Sequence, residues 1–173
     1  KDISVSINIS AIQLLREGFA ENLISVVDEM GITHGNVALE FTESMFSSDF
    51  DYINEVLKKL RSYGIKTAID DFGTGYSSFA RERELNIDYL KIDKFFIDKI
   101  MVLESKETIT GDIISMAHKL GHGVVAEGVE YEMQFEYLKE HGCDKIQGYL
   151  VSRPLDENVA IELLKEQKNM GWE

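Results

Sequence analysis

Six short apolar runs, each followed by a longer segment with helical periodicity, constrain this chain more than any other feature. Strands that alternate with helices through short connections form a parallel sheet, because each crossover returns the chain to the same end of the sheet. The fold class is therefore α/β. The predicted strands span residues 4–8, 37–41, 66–70, 88–92, 123–127 and 144–147.

Predicted helices fill the segments between these strands, at roughly 11–30, 50–63, 106–120 and 131–141, with a short one after Ser77 and a terminal one from Asp156. The first helix is expected to begin at Ser10, whose hydroxyl group suits an N-cap. The apolar residues predicted on its buried face are Ile12, Leu15, Phe19, Leu23 and Val26. Four glycines stand where helices should end: Gly31, Gly64, Gly121 and Gly142.

Such a sheet is either open and doubly wound or closed into a barrel. A (β/α)8 barrel needs eight units and typically about 250 residues. Six units in 173 residues therefore predict a TIM-like barrel with about six of its eight strands present. An open sheet has no missing piece, but it concentrates its ligands near one switch point, whereas functional-looking residues end all six runs here. We favour a single, N-terminally truncated barrel domain over residues 1–173.

The net charge of −13 argues against a nucleic-acid duplex or an anionic membrane as a partner, because both need clustered Lys and Arg. An anionic substrate would need divalent cations held by an acidic cluster. The single cysteine, Cys143, fits a reducing compartment, and neither a signal peptide nor a membrane-spanning run occurs. We expect a cytoplasmic domain. Because the chain begins at Lys1, we also expect a longer parent protein, whose other parts can include a membrane anchor.

Polar side chains stand at the ends of the predicted strands. Since the carboxyl ends of parallel strands meet at one rim, we expect these side chains to converge. Carboxylate oxygens are the ligands that hard divalent cations prefer, and a cluster of buried acids is costly without a cation. A metal site at the rim is therefore predicted, where adjacent acids can feed two cations. The residues are Asn8, Glu40, Asp70, Asp71, Lys91, Glu127 and Gln147.

Several of these candidates have plainer interpretations. Asp71 can simply close an Asx turn before the glycines that follow it. Glu43 can hold a loop or be a surface acid at a helix start, and Glu130 can likewise be an N-terminal helix acid. Lys91 can orient a water molecule or a phosphate oxygen, or it can be exposed on an edge strand. Gln147 can bind a ligand or water, or fix a loop.

Two histidine arrangements are not favoured as sites. His118 and His122 have the spacing of a zinc pair, but no Glu follows His118 and Gly121 should end the helix between them. His141 and Cys143 suggest a nucleophile pair, yet no third group to orient the histidine is evident.

In these residues the chain resembles the EAL family of cyclic di-GMP phosphodiesterases. Short motifs match in order and cover nearly the whole chain. They are Ile7-Asn8-Ile9-Ser10, Leu39-Glu40-Phe41-Thr42-Glu43, Asp70-Asp71-Phe72-Gly73-Thr74-Gly75, Leu90-Lys91-Ile92-Asp93, Glu127-Gly128-Val129-Glu130 and Gln147-Gly148-Tyr149.

The resemblance implies metal-dependent hydrolysis of cyclic di-GMP to linear pGpG on a TIM-like barrel, with two divalent cations, Mg²⁺ or Mn²⁺. It implies that Asn8, Glu40 and Asp70 are ligands of one cation, and that Asp70 and Asp71 serve the second. It further implies that Lys91 places the attacking water and that Glu127 is a metal-site carboxylate or a base.

The resemblance also assigns supporting roles. Glu43, Glu130 and Gln147 are expected to support a loop and the water network. Arg153 and Pro154 resemble the stretch that flanks a guanine pocket in the family. Regulation through linked sensory or signalling domains and through a homodimer is expected as well.

The sequence departs from the family pattern in two places. The Glu-Ala-Leu tripeptide does not occur and would lie upstream of Lys1. Glu82 and Asn86 stand where the family usually has Leu and Pro, in a segment that resembles its dimer-forming region. These departures leave a catalytically inactive cyclic di-GMP receptor or interaction module as an alternative to the enzyme. A barrel enzyme of the proton-abstraction type is a third reading.

Overall fold

The computed structural model describes residues 3–47, 49–72, 84–102 and 107–170. The glycine loop at 73–78, the helix predicted after Ser77 and the departure at Glu82 lie outside the described residues.

The described residues form one six-stranded parallel sheet. Each strand pairs with the next one along the chain, in the order β1-β2-β3-β4-β5-β6. Such an order has no switch point, which is the arrangement of a barrel wall rather than of a doubly wound sheet. All six predicted strands are confirmed. They are β1 (Val5–Asn8), β2 (Val37–Thr42), β3 (Lys66–Phe72), β4 (Tyr89–Ile92), β5 (Gly123–Glu127) and β6 (Lys145–Gln147).

Seven α-helices and two 3₁₀ turns connect and follow these strands within the described part of the chain. The 3₁₀ turns are His34–Asn36 and Glu43–Ser47. The helices are α1 (Ala11–Leu14), α2 (Phe19–Glu29), α3 (Phe50–Ser62), α4 (Lys94–Lys99), α5 (Thr110–Leu120), α6 (Glu132–Glu140) and α7 (Glu157–Met170). Helix α4 was not predicted from the sequence. Among the described residues, no helix is both long and apolar enough to span a membrane.

The prediction of one continuous helix over 11–30 is wrong. The chain breaks after Leu14, and α2 restarts beyond Gly18, which adopts φ 75°, a left-handed conformation suited to glycine. The predicted face is also wrong at Ile12, Leu15 and Val26, which are 85%, 38% and 50% exposed. Phe19 and Leu23 are half-buried and pack against the core. The buried positions are Leu14, Ala20, Ile24 and Val27.

The hydrophobic core lies between the helices and one face of the sheet. Alternate strand residues point to opposite faces, so the inner strands β2 to β5 each send one set of apolar side chains outward to the helices, whereas Val5 and Ile7 of β1 are exposed. The outward-facing residues that are at most 1% exposed include Leu39, Phe41, Ile69, Leu90, Ile92 and Val124. They pack with helix residues such as Leu57, Ile97, Ile114 and Leu138. The opposite, inner face carries the polar strand residues that form the site.

Asp144, directly before β6, ties together α5 and β5 at the amino-terminal end of the sheet. Its Oδ2 accepts hydrogen bonds from His118 Nε2 at 2.8 Å and from the Val124 N–H at 2.7 Å. Partial burial pushes the pKa of Asp144 upward, but these two hydrogen bonds outweigh it and hold the pKa below its ordinary value. His118, which was not favoured as a zinc ligand, therefore takes part in a structural hydrogen bond.

We expect Asp144→Asn to lower the free energy of unfolding by roughly 0.5–1 kcal/mol at pH 7, because the charge-assisted bond is lost at a partly exposed site. A lowered folded-state pKa stabilises the fold above the unfolded value, near 3.9, and this contribution is lost as the pH falls through the folded value. Thermal melts should therefore show a gap between wild type and variant that narrows from pH 7 to about pH 3. A constant gap would contradict this assignment.

Candidate active site

The strand register brings the predicted site residues to one face and one end of the sheet. Asn8 of β1 is the register partner of Glu40 in β2, and Glu127 of β5 is the partner of Gln147 in β6. Glu40 aligns with Ala68 of β3, which aligns with Tyr89 of β4. Residues two apart on a strand share a face, which places Asp70 and Lys91 on the face of Glu40 and one step nearer the carboxyl end.

Asp70 and Asp71 lie in an irregular stretch of β3. Ile69 pairs with Leu90 and Phe72 with Ile92, so that two residues of β3 stand opposite the single residue Lys91. Asp71 also has φ 55°, an uncommon left-handed conformation for a residue other than glycine. A bulge of this kind re-aims side chains at the rim of a barrel, and here it bends the chain at the two adjacent acids.

Lys91 is the centre of the site. Its Nζ lies 2.5 Å from Glu40 Oε2, 2.6 Å from Glu127 Oε1 and 3.1 Å from Asp70 Oδ1. The residue is only 4% exposed, so the interpretation as an exposed edge-strand lysine is wrong. Four residues from four successive strands, β2 to β5, thus meet at one ammonium group.

The charges within this cluster and their burial determine the pKa values of Lys91 and Glu127. Burial disfavours the charged form of Lys91, but hydrogen bonds from its ammonium group to Glu127, Glu40 and Asp70 outweigh burial and raise its pKa well above the ordinary value. Burial also raises the pKa of Glu127, assisted by the charges of Asp70 and Glu40 and opposed by Lys91. Lys91 therefore remains a cation and a donor, while Glu127 is a more basic carboxylate than an exposed glutamate.

The oxygen donors beside Lys91 suit a hard divalent cation. Asp70, Asp71 and Glu127 each offer a carboxylate oxygen within 4.8 Å of the other two. Burial raises the pKa of Asp71, and the neighbouring charges of Asp70 and Asp93 add to this effect. Such a concentration of acids is relieved by a bound cation, and carboxylate oxygens fit Mg²⁺ or Mn²⁺. The residues present therefore fit the expected metal.

Asn8 and Gln147 flank the cluster on the outer strands. Both are exposed, and they are aligned by register with Glu40 and Glu127, respectively. They border the acids on the two sides of the curled sheet. The predicted convergence of strand ends thus extends across all six strands.

Glu43 and Glu130 lie in the segments that follow β2 and β5, respectively. Glu43 begins the 3₁₀ turn after β2 and is 7% exposed, so it is not the surface acid that its position in a helix start allowed. Glu130 follows β5, and its Oε1 lies 3.1 Å from Nζ of Lys94 at the start of α4. Lys94 also contacts Asp98 at 2.8 Å. The ion pair between Glu130 and Lys94 therefore joins the loop after β5 to the start of α4.

Arg153 and Pro154 lie in the exposed connection between β6 and α7. The Arg153 guanidinium group is 5.1 Å from the ring centroid of Tyr149. This contact is a cation–π interaction near the end of β6, on the side of the sheet where Gln147 lies.

Sequence reasoning missed two supporting residues, Lys94 and Gln134. Gln134 in α6 is fully buried and accepts hydrogen bonds from the N–H groups of Glu130 and Tyr131. Only half of the capping-box signature marks it in the sequence, because Gln134 lies three residues after the N-cap but the N-cap is Tyr131 and not Ser or Thr. Lys94 and Asp98 have the i, i+4 spacing of a helical ion pair, but no local signal marks the contact of Lys94 with Glu130, which is distant in the chain.

Comparison with known proteins places these features in a family. The EAL domain model matches residues 1–154. The chain is 39% identical over 163 residues to the cyclic di-GMP phosphodiesterase NbdA of Pseudomonas aeruginosa, an alignment that covers 94% of this chain and 21% of NbdA. The chain thus spans about a fifth of the length of the curated relatives that it matches first.

Solved structures show the same fold. The EAL domain of Mycobacterium smegmatis DcpA superimposes with a TM-score of 0.88 and 37% identity, covering 95% of this chain and 74% of that one. BlrP1 of Klebsiella pneumoniae, in a complex with manganese and cyclic di-GMP, gives a TM-score of 0.77 and 32% identity, covering 88% of this chain and 39% of that one. The expectation of a TIM-like barrel wall with six strands is confirmed.

Proposed function

Because this chain belongs to the EAL domain family, we propose that it forms the greater part of a catalytic domain that hydrolyses cyclic di-GMP to linear pGpG. The observation that carries the proposal is the convergence of Glu40, Asp70 and Glu127 on the buried ammonium group of Lys91. A purely structural ion pair needs one acid. Three acids beside a fourth, Asp71, suit a site that takes up additional positive charge.

The proposed ligands of two divalent cations, Mg²⁺ or Mn²⁺, are the oxygen-bearing side chains of this face. When bound, such cations neutralise a phosphodiester and activate water. The complex of BlrP1 with manganese and cyclic di-GMP supports this choice of metal and substrate. The residues are Asn8, Glu40, Asp70, Asp71 and Glu127.

The roles of the remaining residues follow from their charges. Hydrolysis forms a bond from the water oxygen to phosphorus, breaks one P–O bond of the cyclic dinucleotide and delivers a proton to the leaving oxygen. Lys91 stays protonated and holds the water or a phosphate oxygen by hydrogen bonding. Glu127, whose pKa is raised, accepts the proton of the water. Gln147 supports the water network through its amide group.

The loops at the rim hold these groups and the bases of the substrate. We propose that Glu43 and Glu130 fix the loops after β2 and β5. Arg153 and Pro154 border a guanine base beyond β6, where the planar guanidinium group can stack on the base.

We also propose a domain organisation and a cellular location for this chain. In this proposal residues 1–173 are a single, N-terminally truncated EAL-type domain. The length of the relatives supports a parent protein with linked sensory or signalling domains. We propose that the domain lies in the cytoplasm and acts as a homodimer. The parent protein can be anchored in a membrane.

Metal removal tests the proposed reaction. We expect the full-length protein to convert cyclic di-GMP to pGpG, to lose this activity in EDTA and to regain it with Mn²⁺ or Mg²⁺, because the acids alone repel the phosphodiester. Chromatography of the nucleotide products measures the conversion. Ca²⁺ is added in a parallel assay as a comparison cation. Hydrolysis that persists in EDTA, or no pGpG with either metal, would refute the proposal.

The polar residues Glu82 and Asn86, where the family usually has Leu and Pro, favour a second candidate, a receptor that binds cyclic di-GMP without turnover. Calorimetry separates the two candidates. A receptor binds the nucleotide and leaves it intact after long incubation with Mn²⁺. Absence of any heat of binding would reject the receptor.

A further inference from the structure

Gln134 is a fully buried amide that connects three segments around the site. Its Oε1 accepts the N–H groups of Glu130 at 2.8 Å and Tyr131 at 3.0 Å, and its Nε2 donates to the Ile97 carbonyl at 3.3 Å. The first two bonds satisfy amides at the beginning of α6, which have no partner within the helix. The third adds a second bond to a carbonyl near the end of α4, which also accepts the Ile100 N–H at 3.2 Å. One side chain thus caps the start of α6 and joins it to α4.

The loop that Gln134 holds begins at the site itself. Glu127 ends β5 and contacts Lys91, and Gly128 follows with φ 68°. Val129 is fully buried, and its N–H donates to the Gln147 carbonyl at 3.1 Å. The bonds from Glu130 and Tyr131 to Gln134 come directly afterwards. The backbone from Glu127 to Gln134 therefore has little freedom to move.

The carbonyl that Gln134 reaches belongs to the neighbouring strand–helix unit. Ile97 lies in α4, which follows β4, the strand that carries Lys91. Lys94, at the start of the same helix, lies directly over Gly128, since a Cβ added there would be 2.5 Å from Lys94 Cγ. Helix α4 thus holds the loop at two points, and Gln134 supplies the buried one.

From this geometry we propose that Gln134 is a positioning residue, which sets the place of Glu127 opposite Lys91 by joining the β5–α6 loop to α4. The proposal rests on the proposed phosphodiesterase function for its catalytic consequence. Gln134 contacts neither the cluster nor a substrate, so it acts through the backbone of Glu127 to Tyr131. A small displacement of a reacting group can cost about a hundredfold in rate, so such a link has a measurable effect.

The experiment compares Gln134→Leu with Thr110→Val in the full-length protein. Thr110 is also fully buried, and its Oγ1 donates to the Phe96 carbonyl of α4 at 3.1 Å. Both substitutions remove a buried bond to α4, but only the first releases the loop after Glu127. Hydrogen–deuterium exchange of the peptide 127–131 should accelerate about tenfold or more in Gln134→Leu and stay unchanged in Thr110→Val.

Kinetics at equal folded fraction give the second measurement. In Gln134→Leu we expect kcat for cyclic di-GMP to fall about tenfold to a hundredfold while KM changes less than about threefold, because Glu127 is displaced but the binding surface remains. Thr110→Val should keep kcat within about twofold. If Gln134→Leu does not fold, Gln134→Ala takes its place, since the smaller side chain leaves room for a water molecule.

The results distinguish a failure of the positioning role of Gln134 from a failure of the proposed phosphodiesterase function. Unchanged exchange of 127–131, or accelerated exchange with an unchanged kcat, would overturn the positioning role while leaving the enzyme proposal intact. If wild type shows no turnover, the enzyme proposal fails, and calorimetric titration with Mn²⁺ alone decides the inference. An affinity at least about threefold weaker in Gln134→Leu than in Thr110→Val supports it, and equal affinities overturn it.

Discussion

Lys91→Met is expected to abolish turnover and to make the fold depend on added metal. Methionine fills the space of the lysine stem but leaves Glu40, Asp70 and Glu127 facing one another without the ammonium group. Removal of one partner from a buried ion cluster typically costs about 3–5 kcal/mol. We therefore expect the free energy of unfolding in EDTA to fall by roughly 3 kcal/mol at pH 7. The rate of pGpG formation should fall by at least ~100-fold.

The effects of Mn²⁺ and of pH on the stability of Lys91→Met identify the cause of its lower free energy of unfolding. Mn²⁺ should raise the melting temperature of Lys91→Met more than that of wild type, because the cation replaces the missing positive charge. The uncompensated carboxylates also acquire raised pKa values in the folded state, so the variant should gain stability as the pH falls from about 7 to 5. Wild type should gain less over the same range, because Lys91 opposes the raised pKa of Glu127 and the contribution of Lys91 itself stays constant below its unfolded pKa near 10.4.

Lys59→Met provides the matched control for this experiment. Lys59 pairs with Glu21 on the helical surface, where its side chain is 40% exposed. Surface pairs contribute about 0–1 kcal/mol, so this variant should melt close to wild type with or without Mn²⁺. Equal behaviour of the two lysine variants would show that the cluster around Lys91 has no special role.

Asp70→Asn is expected to lower the rate of pGpG formation strongly while changing the free energy of unfolding little. Asp70 Oδ1 accepts the Asp71 N–H at 3.0 Å and lies 3.1 Å from Lys91 Nζ, and an asparagine oxygen can keep both contacts. The free energy of unfolding should therefore change by less than about 1 kcal/mol. The proposed bridging charge is lost, however, and electrostatic terms of several kcal/mol correspond to ~10³-fold in rate.

The measurements are pGpG formation under saturating Mn²⁺ and Mn²⁺ affinity by calorimetry. Both should decrease in Asp70→Asn. Asp51→Asn, an exposed acid in the first turn of α3, should leave both unchanged, apart from a helix-dipole effect of about 0.3–1 kcal/mol on stability. A rate for Asp70→Asn within tenfold of wild type would reject the metal role of this residue.

Much of the candidate site could be predicted from the sequence because of the regularity of parallel sheets. Glu40, Lys91 and Glu127 follow or interrupt apolar runs, and the ends of parallel strands must meet at one rim. Helices α1 and α2 show the limit of the same reasoning, since a single helical phase fitted across Gly18 put the exposed Ile12, Leu15 and Val26 on the buried face. A backbone break at one residue shifts every later position, and local pattern alone does not reveal it.

The order of apolar runs and polar strand ends in the sequence determined the sheet, its parallel direction and the residue types at its rim. Only the tertiary structure decided how these groups meet: the bulge at Asp70 and Asp71, the three acids on one ammonium group, and the buried amide of Gln134 between two helices. Period and propensity act over a few neighbouring residues. Distances between charges depend on strand register and curvature, which arise from contacts between residues far apart in the chain.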